Sequence, residues 1–143
     1  MLSIEQLEKV LKQKKQRTEK TIGKKGIAKE RLVAGFEKTT FPEFKAWYEK
    51  SNYDQGCHYC QTLATKSEEL YNKAIKGDTY NWTRGGKRGR RLEIDRKDPS
   101  KNYDDLKNIV WCCYWCNNAK SNFFTEEDFK PIAKAIGEAL KKI

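Results

Sequence analysis

Residues 107–124 read KNIVWCCYWCNNAKSNFF. The β-branched and aromatic run Ile109-Val110-Trp111 has the composition of a strand, and it leads without a loop into Cys113-Tyr114-Trp115-Cys116. A cysteine pair at this spacing is half of a tetrahedral metal site, and the other half stands upstream in Cys57-His58-Tyr59-Cys60. Four thiolates fill every position around a zinc ion, as in sites that staple a fold. The two pairs lie further apart than in a zinc ribbon, so they must clamp an insertion between them. Cys112 cannot share the geometry of the second pair and reads as a small buried hydrophobe. A zinc clip alone leaves Asn117, Asn118 and Lys120 without a reason.

Working upstream, LEIDR (92–96) is a second strand signal. The order strand, strand, then a helix beginning near Cys116 places Asp95 near the end of one strand and Asn117 at the start of the helix, so their side chains can converge. A carboxylate and an amide oxygen are hard ligands suited to magnesium, which takes its remaining contacts from water and phosphate. The ordered set C-x-x-C, E-x-D-(H or R), N-(I/V)-V-x-x-C-x-x-C-N-x-x-K-S occupies residues 57–124, about half of the chain. It resembles the HNH nucleases of the ββα-metal (His-Me finger) superfamily. The resemblance implies an α+β fold, a small zinc-stabilised ββα-metal finger with flanking α-helices. It also implies Asp95 and Asn117 as ligands of a catalytic magnesium or manganese ion, Asn108 as the brace of the loop between the strands, and Lys120 as a phosphate contact, with the helix N-terminus adding positive potential. Asn118 belongs to the surface.

One position departs from the commoner family pattern. Where many members have Asp followed by His, this sequence has Asp95 followed by Arg96, and a guanidinium stays protonated at any working pH. Arg96 cannot be the base; its fork suits a grip on the scissile phosphate. The pattern D-R-x6-Y, ending at Tyr103, is similar to a subgroup that includes compact restriction enzymes and phage nucleases. Tyr103, Tyr59 and a metal-bound water are the alternatives for the proton acceptor, with Tyr103 as a plain packing residue the bland reading. His58 has three readings: a substitute ligand, a side chain pointing at DNA or in the proton path, or no role.

The rest of the chain sets the surroundings. At 143 residues it has the size of one domain, and a net charge of +10 attracts polyanions. No apolar run approaches the roughly twenty residues that span a bilayer, and MLSIEQLEKV lacks a secretory pattern, so the expected location is the cytoplasm. Residues 1–50 read as a basic helical arm for DNA: a helix over 3 to about 20 with a Ser3/Gln6 capping box, then a glycine-hinged segment TIGKKGIAKERL, then a helix over FPEFKAWYEKS with Phe44, Trp47 and Tyr48 in the core. Residues 51–143 read as the zinc-stapled core with a C-terminal helix capped by Thr125. The loop containing Arg84, Lys87, Arg88, Arg90 and Arg91 is the second expected DNA contact. These readings lead to a metal-dependent endonuclease on double-stranded DNA, specifically a homodimeric Type II restriction enzyme. The alternatives are a phage or mobile-element nuclease and a non-catalytic zinc-finger module. A pure binder gains nothing from a carboxylate such as Asp95 beside phosphate.

Overall fold

The structure, a computed structural model, describes residues 1–76 and 88–143. Helix α1 (Ile4–Gln13) buries Leu7, Val10 and Leu11, and its start is closed by the reciprocal bonds of Ser3 and Gln6. It stops at Gln13, well before the expected residue 20. Beyond Leu11 the sequence KQKKQRTEK offers no apolar stripe to hold a helix on the core, and Thr18, Thr21 and Ile22 favour extended backbone. Residues 17–33 instead form a hairpin of β1 (Arg17–Ile22) and β2 (Ala28–Val33), antiparallel with Arg17 opposite Val33 and Ile22 opposite Ala28. The expected hinge is the turn and second strand of this ribbon. Its base is tight: a Cβ on Gly35 would lie 2.1 Å from the Lys14 carbonyl oxygen, so only glycine fits where the ribbon returns past the end of α1.

Helix α2 (Phe41–Lys50) begins with the Thr40/Glu43 capping box and carries Phe44, Trp47 and Tyr48 inward. Their partner is Trp111, which meets Trp47 at 5.2 Å and Tyr53 edge-on at 4.9 Å and donates its indole N–H to Ser51 Oγ at 2.8 Å. A 3-10 turn (Tyr53–Gln55) and Gly56, at φ 90°, then swing the chain into the first cysteine knuckle. A Cβ at Gly56 would sit 2.7 Å from the Thr62 carbonyl oxygen, whose residue accepts the Cys57 N–H.

Helix α3 (Ala64–Lys76) buries Leu70, Tyr71 and Ala74. Strands β3 (Glu93–Arg96) and β4 (Ile109–Cys112) pair antiparallel, with Asp95 opposite Val110. The short helix α4 (Tyr114–Lys120) follows β4 directly and packs on β3, giving the strand, strand, helix unit expected from the sequence. Helix α5 (Glu126–Lys141), capped by Thr125, buries Phe129, Ala133 and Leu140 and brings Gly137 against the Cys60 backbone. The N-terminal part is tied to this unit by polar bonds: Asp104 accepts the backbone N–H groups of Glu37, Lys38 and Thr39, and Arg91 donates to Gln13. Among the described residues no helix is long and apolar enough to cross a membrane.

Candidate active site

Two centres draw residues from the β3–β4–α4 unit. In the first, the sulfurs of Cys57, Cys60, Cys113 and Cys116 all lie within 4.8 Å of one another and the residues are at most slightly exposed. Four thiols packed this closely cannot all ionise unless a cation sits among them, and an all-thiolate tetrahedral set is what zinc takes. The donor chemistry of the cluster fits a structural zinc ion. Cys113 also caps α4, its sulfur accepting the Cys116 N–H at 3.4 Å, so the helix N-terminus faces the sulfurs. That corrects the expectation that this N-terminus faces a phosphate. His58 is not a ligand: its Nε2 pairs with Glu126 at the start of α5. Cys112 is fully buried outside the cluster, and burial pushes its thiol well above the usual range.

The second centre is a cleft lined by Glu93, Asp95, Tyr103 and Asn117, by Asn118, Ser121 and Asn122, and by arginines from three segments: Arg17, Arg31, Arg88, Arg90 and Arg91. Strand alternation sends Glu93 and Asp95 to one face of β3, where they meet Asn117 and Lys120, one turn apart on α4. Asn117 Nδ2 donates to Glu93 Oε1 at 3.0 Å, and the Asn117 amide oxygen has no hydrogen bond to a described residue. Asp95 Oδ2 accepts the Tyr59 hydroxyl at 2.6 Å and pairs with Lys120 Nζ at 3.1 Å. Oδ1 of Asp95 has no partner among the described residues. One carboxylate oxygen and one amide oxygen thus line the same cleft, a donor set that fits a hard divalent ion completed by water and phosphate.

Lys120 differs from its expected role. Its side chain is 0% exposed, and its ammonium also donates to the Arg96 carbonyl oxygen at 2.7 Å, so it holds the end of β3 and cannot reach a phosphate. Tyr59 likewise serves Asp95 by donating to it, and burial, then the nearby Asp95 charge, push its hydroxyl above the ordinary tyrosine range. Arg96 does not line the cleft. Its guanidinium lies 4.7 Å from the centre of the Tyr103 ring and donates to the Lys101 carbonyl and to Asn122, touching two residues that do. Tyr103 packs its edge on Phe36 at 5.8 Å and has Lys14 Nζ 4.5 Å from its ring centre, while its hydroxyl has no bond to a described residue. Asn108 clamps the loop after β3 by exchanging bonds of 2.9 Å with the backbone N–H and carbonyl of Asp98.

Of the basic loop, Arg84 and Lys87 lie outside the described residues. Arg88 binds Glu93 through two nitrogens, at 3.1 and 2.7 Å, and reaches Asn118 at 3.3 Å. Arg90 lies over Tyr71, at 5.2 Å, and Arg91 holds Gln13. Sequence reasoning gave no role to Glu93, the residue that binds both Arg88 and Asn117. Its signal was present in E-x-D, whose spacing of two puts both acids on one strand face. The same reasoning missed Arg17 and Arg31, which enter the cleft only because residues 17–33 form a ribbon.

The chain has the HNH nuclease fold. It is similar to the solved structure of the rare-cutting HNH restriction endonuclease PacI, at 28% identity and a TM-score of 0.54. The match covers 71% of this chain and 63% of that one, so it leaves more than a third of that enzyme's length unmatched. No protein-family model matches the sequence, and no curated protein does.

Proposed function

We propose that this chain is a metal-dependent DNA endonuclease, working as a homodimeric Type II restriction enzyme. The observation that carries the reading is the convergence of Asp95 and Asn117, from β3 and α4, in a cleft with five arginines on its walls. A non-catalytic binder has no use for a carboxylate among cations meant for phosphate. The similarity to a rare-cutting HNH restriction endonuclease supports the same class. One such cleft per chain, among the described residues, favours two copies acting together to cut both strands of a duplex.

Asp95 and Asn117 would hold the divalent ion, magnesium or manganese, and when bound it supplies Lewis-acid stabilisation of charge on the scissile phosphate. The chain's own residues do the rest. Lys120 and Tyr59 fix the Asp95 carboxylate from behind, leaving Oδ1 on the cleft. Glu93 fixes the Asn117 amide. Arg17 and Arg31 supply fixed positive charge along the path of the backbone. Arg96 holds the Tyr103 ring, and the free hydroxyl of Tyr103 is placed to exchange a proton with the attacking water or leaving oxygen.

Purified protein should convert supercoiled plasmid to discrete linear fragments when magnesium is added. Asp95→Ala should abolish cleavage while leaving zinc content intact and binding to DNA without added magnesium unweakened. Retained cleavage by Asp95→Ala would overturn the assignment, and a ladder without discrete fragments would argue against a restriction enzyme.

A further inference from the structure

The ribbon β1–β2 stands outside the core. Of its twelve strand residues ten are exposed and only Glu19 and Val33 are half-buried, and none is buried in the core. A lone two-stranded hairpin is marginal in water, so such a ribbon calls for an occupant. Six cations (Arg17, Lys20, Lys24, Lys25, Lys29 and Arg31) stand against two acids across residues 17–33. Both acids are already engaged inside the ribbon, Glu19 by Arg17 at 2.9 Å and Arg31 at 3.4 Å, and Glu30 by Lys20 at 3.8 Å. Lys24, Lys25 and Lys29, at the turn and the start of β2, have no acidic partner among the described residues. The occupant is therefore a polyanion, since a second ribbon of the same charge would be repelled.

The register says where that polyanion runs. Arg17, Glu19 and Thr21 share a face with Lys29, Arg31 and Val33. Three of these, Arg17, Arg31 and Val33, also line the cleft of Asp95 and Asn117. One surface thus continues from the candidate active site to the ribbon tip. Two strands lie about 4.8 Å apart, and with side chains they match the ~12 Å major groove of B-DNA and exceed the ~6 Å minor groove.

Resting on the reading that the chain acts on DNA, we propose that the ribbon lies in the major groove beside the phosphate held in the cleft, with Lys24, Lys25 and Lys29 meeting backbone or base edges. The test compares the full zinc-loaded chain with a Lys24→Ala/Lys25→Ala/Lys29→Ala variant on mixed-sequence linear duplex, in buffer without added divalent cation. All three lysines are exposed, so the fold is not at risk, and equal zinc content checks this. Binding is measured across a salt series, and bound DNA is treated with dimethyl sulfate, which methylates guanine N7 in the major groove and adenine N3 in the minor groove.

The expected result is at least a ten-fold weaker affinity at moderate salt, a log–log salt slope smaller by about two to three, and guanine N7 protection that the variant loses. Equal affinity and slope would overturn the proposal. So would protection confined to adenine N3, or a variant that binds DNA normally but no longer forms dimers. Cleavage with magnesium is scored on the same samples. Wild-type protein that cuts while the variant binds as tightly removes the ribbon assignment alone; wild-type protein that protects N7 through the ribbon yet never cuts removes the nuclease reading alone.

Discussion

Lys120 and Asp95 are a buried ion pair, side chains 0% and 8% exposed, and the cost of breaking such a pair from one side separates two roles for the lysine. If Lys120 positions Asp95, Lys120→Met should destabilise the protein by about 3 kcal/mol or more, because the carboxylate is left buried and unpaired. Denaturant unfolding measures this, and the double variant Lys120→Met/Asp95→Asn should recover part of the loss. A simple phosphate contact would do neither and would lower the salt slope of DNA binding instead. At Tyr103, replacement by Phe removes only the hydroxyl, so cleavage near neutral pH should fall by about 10²-fold with DNA affinity unchanged. Retained cleavage would make Tyr103 a packing residue. Sequence could place Asp95 and Asn117 in one cleft because strand and helix signals flank them closely. It could not separate a lysine that meets solvent from one sealed against a carboxylate, since both are written with the same letter and only burial distinguishes them.

At the level of elements, the four-cysteine site is the joint of three pieces: the first knuckle, the β4–α4 junction and α5, whose Gly137 would place a Cβ 2.9 Å from the Cys60 carbonyl oxygen. Elemental analysis should find one zinc per chain, and Cys113→Ser should lose the metal while its hydroxyl still caps α4. Strong chelation should then lower the melting temperature and unfold the finger, because the metal's binding free energy is folding free energy. Inhibition with the fold unchanged would contradict a structural role. Strands β3 and β4, α2 and α5 were legible because each carries its own periodicity or caps. The ribbon was not: a charged run with no buried face shows neither period, and a capping box at Ser3 invites extending the helix through it.

Over the whole molecule, the proposed grip on DNA would rest on charge rather than area. The net charge of +10 was visible in composition, but not that Arg17 and Arg31 converge on the cleft with Arg88, Arg90 and Arg91 from the other side. If six or more phosphates are engaged, raising salt from about 50 to 200 mM should weaken binding by about 10³-fold or more, measured by fluorescence anisotropy. A nearly flat salt response would remove DNA backbone as the partner of this surface.

The ribbon leaves the body of the protein at Gly35, backbone against backbone, with no side chain between to bend or compress. Such a joint fixes an angle. On the proposed reading, what the ribbon touches and what the cleft cuts would therefore stay a constant number of base pairs apart, whatever the sequence between them. If the chain cuts DNA as proposed, that offset would tie the position of each nick to the bases under the ribbon, so the spacing between contact and cut would trace back to a residue that meets no DNA at all.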